Sequence, residues 1–435
     1  MTPIILQGIT MNLNQTEKKT FIILMISTFL AGLVTCLSSI QDIIAKKALH
    51  SLDWQLTLLT MIWPVSNFFS IWWGKILENA KNKAKYFVIV AFLGRLILVF
   101  GLWVNNMTEF LLLLTLVYFF SSLLIPATNS IYQNNIEKQN RGKLFGYSVS
   151  TGTFLSMIIT FIAGKLLDTN EDMFRWILFF TGISGCLSSL ILSFVKINSS
   201  DRHTDTKISL KELFISPVSR TFQLLKSNKD FAQFERNFSL YGLGFLMVIP
   251  IIPIYLVEHL NMNYTSTFIA KGILAQVGVL LLSPFFGKLH DRKNIFHFGS
   301  IVFAILSLYP LGFILSILFH SPLISVILVF ASYLIYGIAM AGVNITWTMG
   351  SITFAGKEDS AMYQSVHISI TGIRGLIAPL FGFLVYKSMG IISVFIISFL
   401  CELIASFTSY RYYKIKEYEE SGLIIEGKRF WGFWN

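Results

Sequence analysis

Three side chains able to hold an anion share one face of an apolar stretch. His367, Thr371 and Arg374 are spaced i, i+4 and i+7, which brings them to one side of a helix. A charge at mid-bilayer costs about 2.5–3.5 kcal/mol even on lenient insertion scales, so a cation there needs a reason. In one reading Arg374 faces a central cavity and pairs with an anionic group on a solute. In the other it makes a structural ion pair or bonds an open backbone carbonyl. Gly372 and Gly375 keep the nearby backbone thin, which leaves room for a ligand or a close helix. Glu402 is the clearly central carboxylate of the chain. It suits a coupling proton, or the neutralisation of a buried arginine. Asp42, at the outer end of an earlier apolar run where water reaches it, is the second proton candidate. Arg95 reads as structural, and Lys271, a turn or two from a helix end, is expected to snorkel to water. Glu235 and Arg236 open another apolar run, as gate or interface residues.

The neutral polar groups extend the set. Asn129 and Gln133 lie one turn apart, and Asn344, Trp347 and Thr348 lie close together. An amide can hydrogen-bond a solute and an indole can stack on it. The same groups also serve as glue between helices. Tyr241 sits in Tyr241-Gly242-Leu243-Gly244, shortly before Pro250 and Pro253. Each proline removes a backbone hydrogen bond, so that segment is bendable.

The elements that must carry these residues are membrane helices. The 435 residues are 54% hydrophobic and only 13% charged, with a mean hydropathy of +0.65. A soluble domain of this size needs more charge to cover its surface. The apolar runs have helix length and not barrel-strand length. Twelve are expected. The first half holds 20–41, 54–74, 86–105, 110–135, 144–167 and 173–195. The second half holds 236–257, 264–287, 295–318, 323–349, 363–386 and 389–410. The domain boundaries follow: a six-helix bundle over 1–195, a polar central loop over 196–235, a second bundle over 236–411, and a tail over 412–435. The loop has apolar residues at helical spacing, so part of it is expected on the membrane surface. The tail is expected to hug the interface or to be disordered. The first apolar run lacks a following cleavage site and is expected to be retained.

Charge distribution orients the chain. The net charge is +11, but the cations gather at helix ends, which argues for lipid and topology and against nucleic acid. Outside the spans, only Lys46, Lys47, Lys165, Arg175 and Lys387 fall on the side away from the termini. Both termini are therefore expected in the cytoplasm, with the chain in the plasma (inner) membrane. Cys36, Cys186 and Cys401 lie in apolar runs without metal-type spacing and read as small core residues.

The two halves echo each other. Gly74-Lys75-Ile76-Leu77-Glu78 ends the second run, and Gly287-Lys288-Leu289-His290-Asp291-Arg292 ends the eighth. Asn129-Ser130-Ile131-Tyr132 matches Asn344-Ile345-Thr346-Trp347. Like-oriented six-helix halves form a parallel repeat about the membrane normal. With its Gly-x-x-x-Asp-Arg loop at Gly287 to Arg292, the chain resembles the major facilitator superfamily over roughly residues 20–411. The resemblance implies that fold: an all-α protein of twelve transmembrane helices in two pseudo-symmetric bundles. It also implies a cytoplasmic gate at Gly287, Asp291 and Arg292, with a weaker first copy at Gly74 and Glu78, where Glu and Asn79 replace the acid and the arginine. It further implies that spans one, four, seven and ten line the path.

No phosphate-binding Gly-Lys-Ser/Thr loop, His-Glu-x-x-His or Cys-x-x-Cys is present, so neither ATP hydrolysis by that route nor a cofactor is expected. The expected function is secondary transport of a small organic solute by alternating access, with proton coupling and an anionic substrate as finer readings. The chain is expected to act as a monomer in the bilayer. The alternatives are a transporter-like solute sensor, a drug efflux antiporter and a membrane-embedded enzyme. The fourth span lacks an arginine and the fifth lacks Gly-Pro, which weakens the drug antiporter. The enzyme lacks a cluster of acids or His at one interface.

Overall fold

The computed structural model describes residues 13–69, 72–73, 76–77, 80, 83–196, 216–319, 321–355 and 360–421. Helices account for the bundle, and no strand occurs among these residues. The first half comprises α1 (Gln15–Lys47), α2 (Asp53–Phe68), α3 (Ala84–Trp103), α4 (Met107–Ser121 continuing as Leu124–Asn135), α5 (Lys138–Thr169) and α6 (Met173–Ser193). A separate helix α7 (Ser216–Ser227) follows. The second half comprises α8 (Lys229–His259), α9 (Tyr264–Phe268 through Ile269–Leu274 to Ala275–Arg292), α10 (Ile295–Leu318), α11 (Pro322–Ala355), α12 (Ser360–Met389) and α13 (Ile391–Glu420). Eleven helices among the described residues are long and apolar enough to cross a bilayer. The helix α2 occupies the place of the remaining span.

Asparagine caps start many of the helices, because its short side chain satisfies the free N–H groups of the first turn. Asn14 accepts from the Glu17 N–H (2.8 Å), and Glu17 accepts from the Asn14 N–H (2.9 Å). Asn106, Asn228, Asn263 and Asn294 cap α4, α8, α9 and α10. These caps explain where hydropathy misplaced the ends. The seventh span begins at Lys229 and not at 236, because Asn228 caps it. Residues 412–420 continue α13 as helix rather than forming a loose tail. There Tyr412 donates to Asp230 (2.6 Å) and Lys416 pairs with it (2.9 Å), tying the end of α13 to the start of α8. Residues 422–435 lie outside the described set, as do 197–215 of the central loop.

The two halves repeat the same packing. In the first, α1 packs on α5 and α6, α3 on α6, and α2 on α4. In the second, α8 packs on α12 and α13, α10 on α13, and α9 on α11. Lipid tails are as apolar as leucine, so close approach and interhelical hydrogen bonds must supply the association. Ser27 and Ser188 show this between α1 and α6: each hydroxyl donates to the other's carbonyl, at 3.0 and 2.8 Å. Phe313 and Phe395 stack at 4.9 Å between α10 and α13.

Two seams join the halves, α2 with α12 and α5 with α9. Small residues line both. A Cβ on Gly375 would stand 2.1 Å from Pro64, and one on Gly272 would stand 2.4 Å from Thr160. The α12–α13 turn requires glycine for a different reason. Gly390 has φ 82° and ψ 174°, a region that side chains avoid. Gly390→Ala should therefore lower stability by about 1–3 kcal/mol, read as a drop in melting temperature. An unchanged melting curve would mean that the turn relaxes freely.

Helix regularity breaks at several places among the described residues, and Leu96–Trp103 of α3 is a 3-10 helix. Val90–Arg95, Tyr255–His259 and Ile269–Leu274 are π-helical, a geometry common where a helix is bent for function. The ladder of α8 is also interrupted at Ile249–Pro250, as its prolines predict.

Candidate functional site

Element order gives the bundle two ends. The terminal face holds the start of α1 and the end of α13. The opposite face holds the α1–α2, α5–α6, α8–α9 and α12–α13 connections.

On the opposite face the halves are clasped by charge. Asp42 of α1 pairs with Lys271 of α9, and both are nearly buried. The π-turn around Lys271 carries it at this point. Lys46 of α1 pairs with Asp53 (3.1 Å) and reaches across to Glu258 of α8. Lys387 of α12 pairs with Asp53 of α2 (2.7 Å). Lys47 donates to the Met262 carbonyl (3.2 Å) and lies over the Tyr264 ring. Asp168 of α5 accepts from the N–H groups of Tyr264 (2.7 Å) and Thr265 (3.0 Å), the first residues of α9. A carboxylate is favoured at that positive helix end. Asp42 and Lys271 thus depart from the sequence expectation: Asp42 is 7% exposed, and Lys271 finds a carboxylate rather than open water.

At the edge of this ladder burial pushes the Asp53 carboxyl up, but hydrogen bonds and charge from Lys387 and Lys46 outweigh it and hold the group below its ordinary value. The Asp53 bridge therefore contributes fully above the usual carboxylate range. It is lost only as pH falls through the lowered value. It persists at neutral pH.

Nearer the terminal face several positions are left uncovered. A Cβ added to Gly146 or Gly287 would meet no atom within 4 Å, and Asn129 and Asn344 are exposed on α4 and α11. At the apex, where α2 meets α12, lies a small cleft lined by Trp63, Pro64, Asn67, Ile125, Trp347, Ile368 and Thr371. Its walls come from both halves. They offer two indoles, an amide and a hydroxyl, and no charge.

Behind the apex, inside the second half, sits a buried polar core. The His367 Nδ1 lies 2.7 Å from Glu235 Oε1, with His367 fully buried. Arg374 donates from Nη1 to the Phe238 carbonyl (2.5 Å) and from Nη2 to Thr371 Oγ1 (3.3 Å). Its guanidinium rests on the rings of Phe238 and Tyr241, at 5.2 and 5.6 Å. Gly242 makes this possible, since a Cβ there would collide with the guanidinium at 2.3 Å. Tyr241 in turn stacks on Phe303 at 4.6 Å. Glu402 is fully buried on α13, and neither carboxyl oxygen has a hydrogen-bond partner among the described residues.

The structure thus brings His367, Thr371, Arg374 and Tyr241 together, with Trp347 and Thr371 also at the apex. Asn129 and Asn344 are exposed on α4 and α11, and Asp42 stands apart among the ion pairs. Gln133 lies on α4, with its side chain outside the described set. Gly287, Asp291 and Arg292 lie in the last turns of α9, with Arg292 exposed and the Asp291 side chain outside the described set. Gly74 and Glu78 also fall outside it. Sequence reasoning singled out neither Trp63 nor Asn67 as lining groups, nor Asp53, Asp168 and Lys387 as clasp residues. Two indoles in a cleft of apolar runs give no periodic signal, and partners in different halves carry none.

The fold agrees with that of known proteins. Over 90% of this chain and 99% of the other, the structure is similar to a nucleoside transporter, NupG, with TM-score 0.68 at 17% identity. It is similar to a D-xylose-proton symporter with TM-score 0.63 at 14% identity, over 91% of this chain and 96% of the other. It is also similar to a bacterial homologue of the lysosomal transporter Spinster in an inward-facing conformation, with TM-score 0.60 at 14% identity, over 93% and 98%. At these identities the likeness shows the fold. In sequence the chain is 24% identical over 278 residues to the proton-coupled antiporter flippase LtaA of Staphylococcus aureus (strain N315). That match covers 62% of this chain and 64% of the relative's length. The sequence profile of the Major Facilitator Superfamily matches residues 20–379. That match spans most of the chain, and this multi-pass membrane protein belongs to the Major Facilitator Superfamily of transporters.

Proposed function

We propose that this chain is a proton-coupled secondary transporter that moves a small organic solute by alternating access, working as a monomer. One observation carries the reading: ion pairs clasp the halves at the opposite face, while residues of both halves line a cleft between α2, α4, α11 and α12. Release of the clasp and closure of the terminal face would expose the same cleft to the other side. The bias of Lys and Arg supports a cytoplasmic terminal face, which would make the conformation inward-open, and the plasma (inner) membrane is the one we propose. Names of similar proteins include a proton antiporter and a proton symporter, which supports proton coupling and leaves the direction of solute movement open.

The cleft refines the substrate. Trp63 and Trp347 offer ring faces, and Asn67 and Thr371 offer an amide and a hydroxyl. The cation nearest to it, Arg374, already donates to Phe238 and Thr371. A neutral solute with a ring or an apolar face suits this lining better than a bare anion.

Purified protein in proteoliposomes tests the reading. Neutral metabolites that raise the melting temperature should also cross the vesicle membrane, faster under an imposed pH gradient. Binding without movement would favour a sensor, and movement indifferent to the gradient would exclude proton coupling.

A further inference from the structure

We infer that the buried Glu235–His367 pair, between α8 and α12, is a proton-binding site of this transporter. The inference rests on the proposed proton coupling for its use, but on geometry for its chemistry. His367 and Glu235 meet at 2.7 Å, and their side chains are only 0% and 5% exposed. A carboxylate this buried must be bonded or neutralised, and the imidazole ring is its partner. The other ring nitrogen, Nε2, is also buried and has no hydrogen-bond partner among the described residues. It can take a proton.

In the unloaded pair, His367 Nδ1–H donates to the Glu235 carboxylate and Nε2 carries a lone pair. Loading adds one proton to Nε2 and breaks no bond. The imidazolium that results lies against the carboxylate. Its ring centroid lies 4.6 Å from that of Phe238 and 6.0 Å from that of Trp347, within range of ring quadrupoles.

Other groups face the pair from the helices around it. Arg374 follows on α12 and is within electrostatic reach of Glu235. Tyr363 precedes on α12, receiving a hydrogen bond from Asn228 of α8 (3.2 Å). Tyr241 comes from α8, and Glu402 of α13 lies within reach of Tyr241. From α11 comes the neutral group Trp347. Before loading, the Glu235 carboxylate balances the Arg374 guanidinium. After loading, the carboxylate is balanced by the imidazolium, and the Arg374 charge is left facing Thr371. Thr371 and Trp347 both line the apex. One proton at the pair therefore adds a positive charge behind the wall that the solute touches.

The proton itself is the probe, and the indole of Trp347 reports it, because an imidazolium near an indole quenches its fluorescence. The emission of purified protein is titrated from pH 5 to pH 9, and the signal of Trp347→Phe is subtracted. The difference should fall in a single step on acidification. His367→Gln should abolish that step. Glu235→Gln removes the charge that favours the imidazolium and should move the midpoint about one pH unit or more toward acid. A flat difference signal in the parent overturns the inference, as does a step that survives in His367→Gln. If His367→Gln does not fold, Glu235→Gln decides, and an unmoved midpoint overturns the inference. No solute and no gradient enter this measurement. A chain that binds the proton but moves nothing would pass here and fail the flux test.

Discussion

Lys271→Met should loosen the clasp between the halves and cut transport at least tenfold while leaving folded, inserted protein. Lys271 and Asp42 form a nearly buried pair across the seam. Removing one partner of such a pair strands the other charge, at a cost of about 3–5 kcal/mol. That cost falls only on the conformation in which Asp42 is enclosed, since water reaches Asp42 once the halves part. Each 1.4 kcal/mol is about a factor of ten in a population, so the clasped state should lose more than a hundredfold. Spin labels at the exposed positions Leu52 and Met389, on opposite halves of the same face, should report a longer separation in the variant. An unchanged distance distribution with unchanged flux would remove the pair from the gate.

The double variant Asp42→Asn with Lys271→Gln separates charge from shape. Both charges go together, and two amides can still bond each other. Deleting both partners is far milder than deleting one. It should recover much of the clasped population. Recovery of the clasp without recovery of flux would assign Asp42 a role in the proton cycle beyond the clasp.

The fold was legible because its signals are local. Length and apolarity of each run mark the spans, and paired motifs such as Gly74–Glu78 and Gly287–Arg292 mark the repeat. The ends were less legible, because a cap such as Asn228 outranks hydropathy and extends the seventh helix by a turn or more. The site was legible only in part. Spacing put His367, Thr371 and Arg374 on one face, and they do share a core. Spacing could not say what each would meet. The partner of His367 lies 132 residues away at Glu235, and that of Lys271 lies 229 residues away at Asp42. Neither separation leaves a trace in composition or periodicity. The cleft was the least legible part, since Trp63 and Asn67 matter only once another half stands opposite them.

The same facts explain why charge and contact are divided as they are. The clasp uses exchangeable ion pairs at the rim of the seam, where water can take over each partner when the halves separate. The polar core lies within one half and need not break during a rocking motion. A proton held there can change the field at the apex without being exposed by the movement itself. This division of labour predicts that substitutions within a half and between halves differ in kind, and glycines offer a clean test.

Gly375→Ala and Gly382→Ala create clashes of the same size in different places. A Cβ on Gly375 would stand 2.1 Å from the Pro64 Cβ, across the seam between α12 and α2. A Cβ on Gly382 would stand 2.1 Å from the Met247 carbonyl oxygen, within the second half. Overpacking of this sort costs typically about 1–3 kcal/mol. At Gly382 the backbone of α8 must move, and both conformations suffer, because the α8–α12 contact belongs to the folded half. The expected result is a lower melting temperature and lower yield, with normal cycling in whatever protein remains. At Gly375 each half keeps its own packing, and only the closed seam is strained. The expected result is a normal melting curve, a shift in the separation of the two halves, and flux reduced at least tenfold. Melting curves and label distances on the two variants decide the matter. Equal loss of stability in both would mean that the halves fold as one cooperative body and that the α2–α12 seam is no sliding surface.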